Sequence, residues 1–205
     1  MSGSLRRYLL SGLLLLLTGC ATGVTPPPAP VRDPRPVFLL DHGRHASLVL
    51  TTPVGNLVRY AYGDWRYYAE RDTGIGSALA ALFAETPAAL GRRKLPGPPR
   101  PAVVCERVRV PIEELFPLEV PGPRVDALRR RLDRIFAAGK GRHLYAAAYD
   151  LVFTPFPGSY RLPTTSNGKV AEWLRDLGVR VAGSPLFSSW KLEGPGAGSA
   201  YRCPP

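Results

Sequence analysis

The chain has 205 residues, 45% of them hydrophobic, with 27 Lys and Arg against 16 Asp and Glu for a formal charge of +11. From Val37 to Pro205 it offers one domain's length of chain with enough apolar residues for a core, and it shows no internal repeat. Its histidines, His42, His45 and His143, lack the short ligand spacings of zinc sites, so no metal and no other cofactor is expected.

At the start, Arg6 and Arg7 supply positive charge, Tyr8 to Leu17 form an apolar run, and the run stops at Thr18 and Gly19, directly before Cys20. A bilayer-spanning helix needs roughly 20 apolar residues, so residues 1–19 read as a signal peptide and not as a span. Leu17-Thr18-Gly19-Cys20 resembles the bacterial lipobox, in which the cysteine thiol takes a diacylglyceryl group and cleavage makes that cysteine the new N-terminus. Two or three acyl chains, at about 0.8 kcal/mol per buried methylene, give a stable anchor. Ala21 stands where an Asp would, by resemblance to the Gram-negative sorting rule, retain the protein in the inner membrane. The expected location is therefore the cell envelope, at the periplasmic face of the outer membrane. Loss of Arg6 and Arg7 leaves 25 basic against 16 acidic side chains, a mature charge of +9. An exported, acylated protein seldom meets nucleic acid. Membrane lipid through Cys20, with anionic headgroups or cell-wall polymers, are the partners such a charge fits.

Residues 22–36 hold Pro26, Pro27, Pro28, Pro30, Pro34 and Pro36. That density favours an extended polyproline-II spacer, reaching on the order of 45 Å at about 3.1 Å per residue. Residues 20–36 thus read as lipidated start and tether, and 37–205 as a single domain. In it, Val37 to Leu40, Ala46 to Leu50 and Leu57 to Tyr62 are strand-forming runs separated by turns. Ile75, Leu79, Leu82 and Phe83 recur at helical spacing until Pro87. A basic, Pro-rich loop with Arg92, Arg93 and Lys94 then leads to an expected strand from Ala102 to Val110. Val125, Leu128, Leu132, Ile135 and Phe136 stripe a helix from about Arg124 to Ala138, ending at Gly139. Its other side carries Arg129, Arg130, Arg131 and Arg134, either a solvated face or a surface for anionic lipid. A looser aromatic segment from Tyr145 to Tyr160 precedes a last helix, on which Val170, Trp173, Leu174 and Leu177 share a face and Gly178 caps the end. Val179 to Ala182 and Phe187 to Leu192 close an α+β domain as strands. Cys105 and Cys203 are left in an oxidising compartment, where they can form a disulfide.

Two strings put polar groups at element ends: Asp41-His42-Gly43-Arg44-His45 before the second strand, and Thr164-Thr165-Ser166-Asn167 before the last helix. A hydroxyl at a helix N-terminus lies near unpaired backbone N–H groups, which stabilise a nucleophile and the oxyanion it creates, and a histidine on a neighbouring strand can be its base. Each residue also has a local reading. Ser166 can be an ordinary N-cap, His45 a strand-end histidine with His42 its neighbour in a Gly turn, and Asp64 either an orienter of a histidine or half of a Gly-Asp turn.

The lipobox, His42-Gly43-Arg44-His45-Ala46-Ser47-Leu48-Val49-Leu50, Tyr62-Gly63-Asp64-Trp65 with Tyr67-Tyr68, and Ser159-Tyr160 through Leu174 together resemble an uncharacterised bacterial lipoprotein family named for its occurrence near urease genes. The resemblance covers most of residues 37–192. That family in turn resembles circularly permuted papain-like, NlpC-type folds, in which the histidine strand comes first and the cysteine helix last, with an antiparallel sheet packed against helices. It implies His45 as base and Ser166 at the nucleophile's position, with Asp64 or His42 as the third group. Two departures stand out. The family's T-C-N reads Thr165-Ser166-Asn167 here, and its tryptophan shifts to Trp173. A thiol, with a pKa of about 8.5, ionises readily beside a histidine, whereas a hydroxyl must lose its proton during attack.

The resemblance thus implies a membrane-anchored lipoprotein whose domain binds or hydrolyses an envelope amide or ester, such as a peptidoglycan peptide or a lipid acyl group. It is either a Ser/His hydrolase or, as the serine favours, a pseudoenzyme kept as a binding or structural module. Metabolic labelling with a fatty acid tests the anchor: wild type is expected to take label and Cys20→Ser to take none.

Overall fold

In a computed structural model of the protein, residues 21–68, 85–161, 164–183, 185, 186, 188–194 and 198–204 are described. The signal peptide, Cys20 and the helix expected around Ile75 to Phe83 lie outside them. No helix among the described residues is long and apolar enough to cross a membrane.

The fold is α+β. Strands β2 (Pro34–Asp41), β3 (Ala46–Thr51), β4 (Leu57–Asp64), β5 (Thr86–Leu95), β6 (Glu114–Pro121), β7 (Leu144–Ala146) and β8 (Leu151–Tyr160) make a seven-stranded antiparallel sheet in the order β6-β2-β3-β4-β5-β8-β7. Side chains alternate across it. Leu48, Leu50, Val58, Tyr60 and Tyr62 enter a core shared with helices α3 (Gly122–Ala138) and α4 (Ser166–Asp176), while Val49 and Leu57 join a second core under α2 (Pro101–Arg107). A short helix, α1 (Trp65–Tyr68), follows β4 directly.

The apolar stripe expected for α3 is the buried one, with Val125, Leu128 and Leu132 in the core. The arginines around it are largely paired. Arg129 reaches Asp126 and Asp133, Arg92 reaches Asp133, Arg131 reaches Asp176, and Arg35 reaches Asp126. Much of the basic cluster is therefore committed to holding α3 against β5, β2 and α4. At the far end of α4, Gly178 sits at φ +88° and its N–H and that of Val179 return to Arg175 and Leu174, a Schellman turn that only a residue without Cβ adopts cheaply.

Several segments differ from expectation. Thr22–Thr25 is not tether but strand β1, lying between β10 (Trp190–Leu192) and β9 (Arg180–Ala182) in a separate three-stranded sheet. The prolines begin only at Pro26, and Thr-Gly-Val-Thr is free to pair once distant strands supply partners. At the other end Pro34 and Pro36 lie in β2 where it pairs with β6 alone, since pairing to β3 begins at Val37, so their missing N–H groups break no ladder. Spacer is left only between Thr25 and Pro34.

The segment from Ala102, expected as a strand, is helix α2, with Pro at its first position. The basic loop is β5, the strand joining β4 to β8. Its Ala-Ala-Leu-Gly-Arg-Arg carries no strand signal, and it is held instead by Arg92 on Asp133, Arg93 on Asp150, and Gly91, whose lack of a side chain admits Phe153 and Leu151. The aromatic segment is β7 and β8, and β6 was not anticipated at all.

Cys105 on α2 is bonded to Cys203, with Cα atoms 5.5 Å apart and a sequence separation of 98. The bridge fixes the C-terminal segment, which also pairs Tyr201 with Leu115. On the chain-entropy model a loop of that length contributes up to about 4–5 kcal/mol. Denaturant unfolding of Cys105→Ser/Cys203→Ser is expected to show a loss of that order, and wild type under reducing conditions should match it.

Candidate functional site

The turn from β2 to β3 carries His42 and His45, and behind it a guanidinium is buried in the sheet. Arg59, in the middle of β4 and fully buried, donates from Nε to Ser47 Oγ at 2.9 Å, from Nη1 to the Tyr149 carbonyl at 3.0 Å and from Nη2 to His42 Nε2 at 3.0 Å. His42 Nε2 also takes the Ser47 hydroxyl at 2.9 Å, and its Nδ1 lies 2.6 Å from the Pro111 carbonyl. A carbonyl only accepts, so Nδ1 carries the proton and Nε2 is the lone pair that Arg59 and Ser47 share. Burial, then Arg59, then His45 hold the His42 pKa well below its usual value. His42 is a neutral structural acceptor.

His45 stacks on His42 with ring centroids 4.8 Å apart and meets Tyr149 edge-on at 5.7 Å. Burial and then Arg59 lower its pKa to about 4. Arg59 itself falls to about 9, through burial and then Arg93, and burial raises Tyr149 to about 12. All of these groups share the sheet face of Ser47, Val49 and Arg59.

Ser166 and Asp64 belong to the other face. Ser166 is the first residue of α4, where Thr165 caps the helix by accepting from the Gly168 N–H at 3.2 Å. The Ser166 backbone N–H and hydroxyl lie near the phenol of Tyr160, at the end of β8, and pull its pKa down. Burial nevertheless raises the Tyr160 pKa, and Tyr160 stacks on Tyr62 at 5.8 Å. Asp64 is buried at the end of β4. Its Oδ1 accepts the Tyr67 N–H at 2.7 Å, which starts α1, and its Oδ2 accepts the Thr86 hydroxyl. The two groups meet at the sheet's end, where Asn167 Nδ2 lies 3.5 Å from the Arg44 carbonyl and buried Asn167 Oδ1 lacks a hydrogen-bond partner.

Comparison of the chain with family models, with curated proteins and with solved structures gives no match.

Sequence reasoning passed over Arg59, Tyr149 and Tyr160 as site residues. For Arg59 there was a signal: a cation in Leu57-Val58-Arg59-Tyr60-Ala61-Tyr62, where neighbours of both parities are apolar, is a buried charge.

Chemically, a histidine with a pKa near 4 is neutral but weakly basic at neutral pH, far from the match that general-base catalysis favours. The depressed value also sets a pH dependence. Between about 6.5 and about 4 the unfolded chain protonates at His45 while the folded one does not, so this contribution is full above 6.5 and is lost as pH falls. NMR titration of the His45 ring is expected to give a midpoint near 4, moving part of the way up in Arg59→Met. The slope of stability against pH between 6.5 and 4 should flatten in His45→Gln.

Proposed function

We propose that the protein is an envelope lipoprotein acylated at Cys20, whose permuted papain-like domain binds an envelope amide or ester and does not cleave it. The arrangement of β3 and β4 followed much later by α4, with the helix start beside the His42 to His45 turn, supports the permuted fold. One observation carries the choice of binding over hydrolysis. Ser166 lies beside Tyr160 on the α4 face of the sheet, whereas His45 stacks on His42 in the Arg59 network of the opposite face.

A Ser/His hydrolase needs the hydroxyl's proton to pass to the ring as the nucleophile attacks. Tyr160 is no substitute, because a phenol with a raised pKa stays protonated at neutral pH and accepts no further proton. Asp64 is engaged by Tyr67 and Thr86, a use that supports the start of α1 and the pairing of β4 with β5.

A serine-directed fluorophosphonate is expected to leave the purified mature domain unlabelled. Labelling that vanishes in Ser166→Ala and falls steeply in His45→Ala would establish the hydrolase instead. Under the binding reading Ser166→Ala costs at most about 1 kcal/mol of stability and leaves affinity for an envelope ligand nearly unchanged.

A further inference from the structure

We propose that the domain sits directly on the bilayer, with the His42 to His45 turn and the start of α4 facing the lipid headgroups. The inference rests on the reading that Cys20 is acylated, and it names where that domain's ligand must lie: within or just above the headgroup layer of the membrane that holds the anchor.

The argument begins with the position of β1. Ala21 is one peptide bond from Cys20, and Thr22 is already fully buried, its N–H donating to the Ser189 carbonyl at 2.7 Å and its Cα paired with Trp190. Two residues of chain span at most about 7 Å, so the acylated cysteine cannot stand far from Thr22. The body is therefore held against the membrane, and the proline segment lies downstream of the first strand, where it cannot lengthen the anchor.

Which end of the body faces the lipid follows from the neighbours of Thr22. Ser189 is followed by Trp190, whose Nε1 donates to Ser188 Oγ at 3.3 Å, and that hydroxyl donates to Asp41 Oδ1 at 2.5 Å. Asp41 ends β2 and opens the turn that carries His42, Arg44 and His45. One hydrogen bond to Ser189, a peptide bond to Ser188 and a second hydrogen bond thus link Thr22 to the histidine turn, and Asn167 of α4 touches the same turn. Exposed groups at this end suit an interface. Arg44 and Arg66 are exposed cations, and Leu186, in the loop from β9 to β10, is 43% exposed. Val54, in the turn from β3 to β4, is 82% exposed and marks the opposite end of the sheet.

The test uses the full acylated protein in vesicles of phosphatidylethanolamine and phosphatidylglycerol containing a nitroxide-labelled phospholipid. Single cysteines are introduced as Arg44→Cys, Leu186→Cys and Val54→Cys and tagged with a fluorophore. The native Cys105 and Cys203 are tied in their disulfide, and Cys20 carries lipid. Quenching is expected to be several-fold stronger at positions 44 and 186 than at 54. A flexible Gly/Ser insert of about twenty residues between Cys20 and Ala21, spanning on the order of 25 Å, should erase most of that difference. Equal quenching at the three positions, or stronger quenching at 54, would overturn the orientation while leaving the anchor intact. If wild type carries no acyl chain by mass spectrometry and fails to float with vesicles, the anchor reading falls and takes this one with it.

Discussion

A guanidinium buried in the middle of a sheet must have its N–H groups met by acceptors, and around Arg59 that demand orders the end of the molecule where the candidate residues gather. Its bonds to Ser47, His42 and the Tyr149 carbonyl all end on neutral atoms, so its charge is stabilised by dipoles. Each bond fixes something else. Ser47 ties the cation to β3, the Tyr149 carbonyl positions the stretch between β7 and β8, and His42 must stay neutral with its proton on Nδ1, which in turn fixes the ring against Pro111. Burial, and after it the repulsion of a second cation by Arg59, is why both histidines resist protonation. The network therefore gives stability and shape at the cost of basicity.

Strand alternation then divides the candidates. Residues of one parity on β3 and β4 face α3 and α4, and those of the other face Arg59 and α2. Chain order cannot reveal this division for His45, because the residue stands in the turn just before β3, where parity is not yet set by pairing. Ser166, Asp64 and His45 do arrive at one end of the sheet, as reading the element ends suggested. What no spacing could show is that Ser166 and Asp64 arrive on one face and the histidine network on the other.

The legible parts of the fold share a physical cause, which is local periodicity tied to burial. β2, β3 and β4 announce themselves by apolar runs, α3 by a stripe whose positions are those buried, and the end of α4 by a glycine at positive φ. The illegible parts depend on distant partners. β5 is a strand because Asp133 and Asp150 neutralise Arg92 and Arg93 and because Phe153 fills the space over Gly91. β1 is a strand because residues 180–182 and 190–192 return to flank it. α2 runs against its valines because a proline starts it, Val104 is buried beneath it and Cys105 is bonded to the C-terminal segment. In each case a tertiary partner outweighs a local preference of a few tenths of a kcal/mol per residue.

The serine at the start of α4 has a reading that the same physics supports. At the first helical position, its backbone N–H and its hydroxyl lie near the phenol of Tyr160 and pull its pKa down against burial. A thiol there would be a weaker donor toward that phenol than a hydroxyl is. Tyr160, beside the start of α4, also stacks on Tyr62 of β4. Serine at this position offers a better hydrogen-bond donor than an ionisable thiol would. With Thr22 paired to Trp190 in β1 and Tyr201 paired to Leu115, this end of the described domain is held rigidly, which suits a fixed binding surface better than a reaction that needs a mobile hydroxyl.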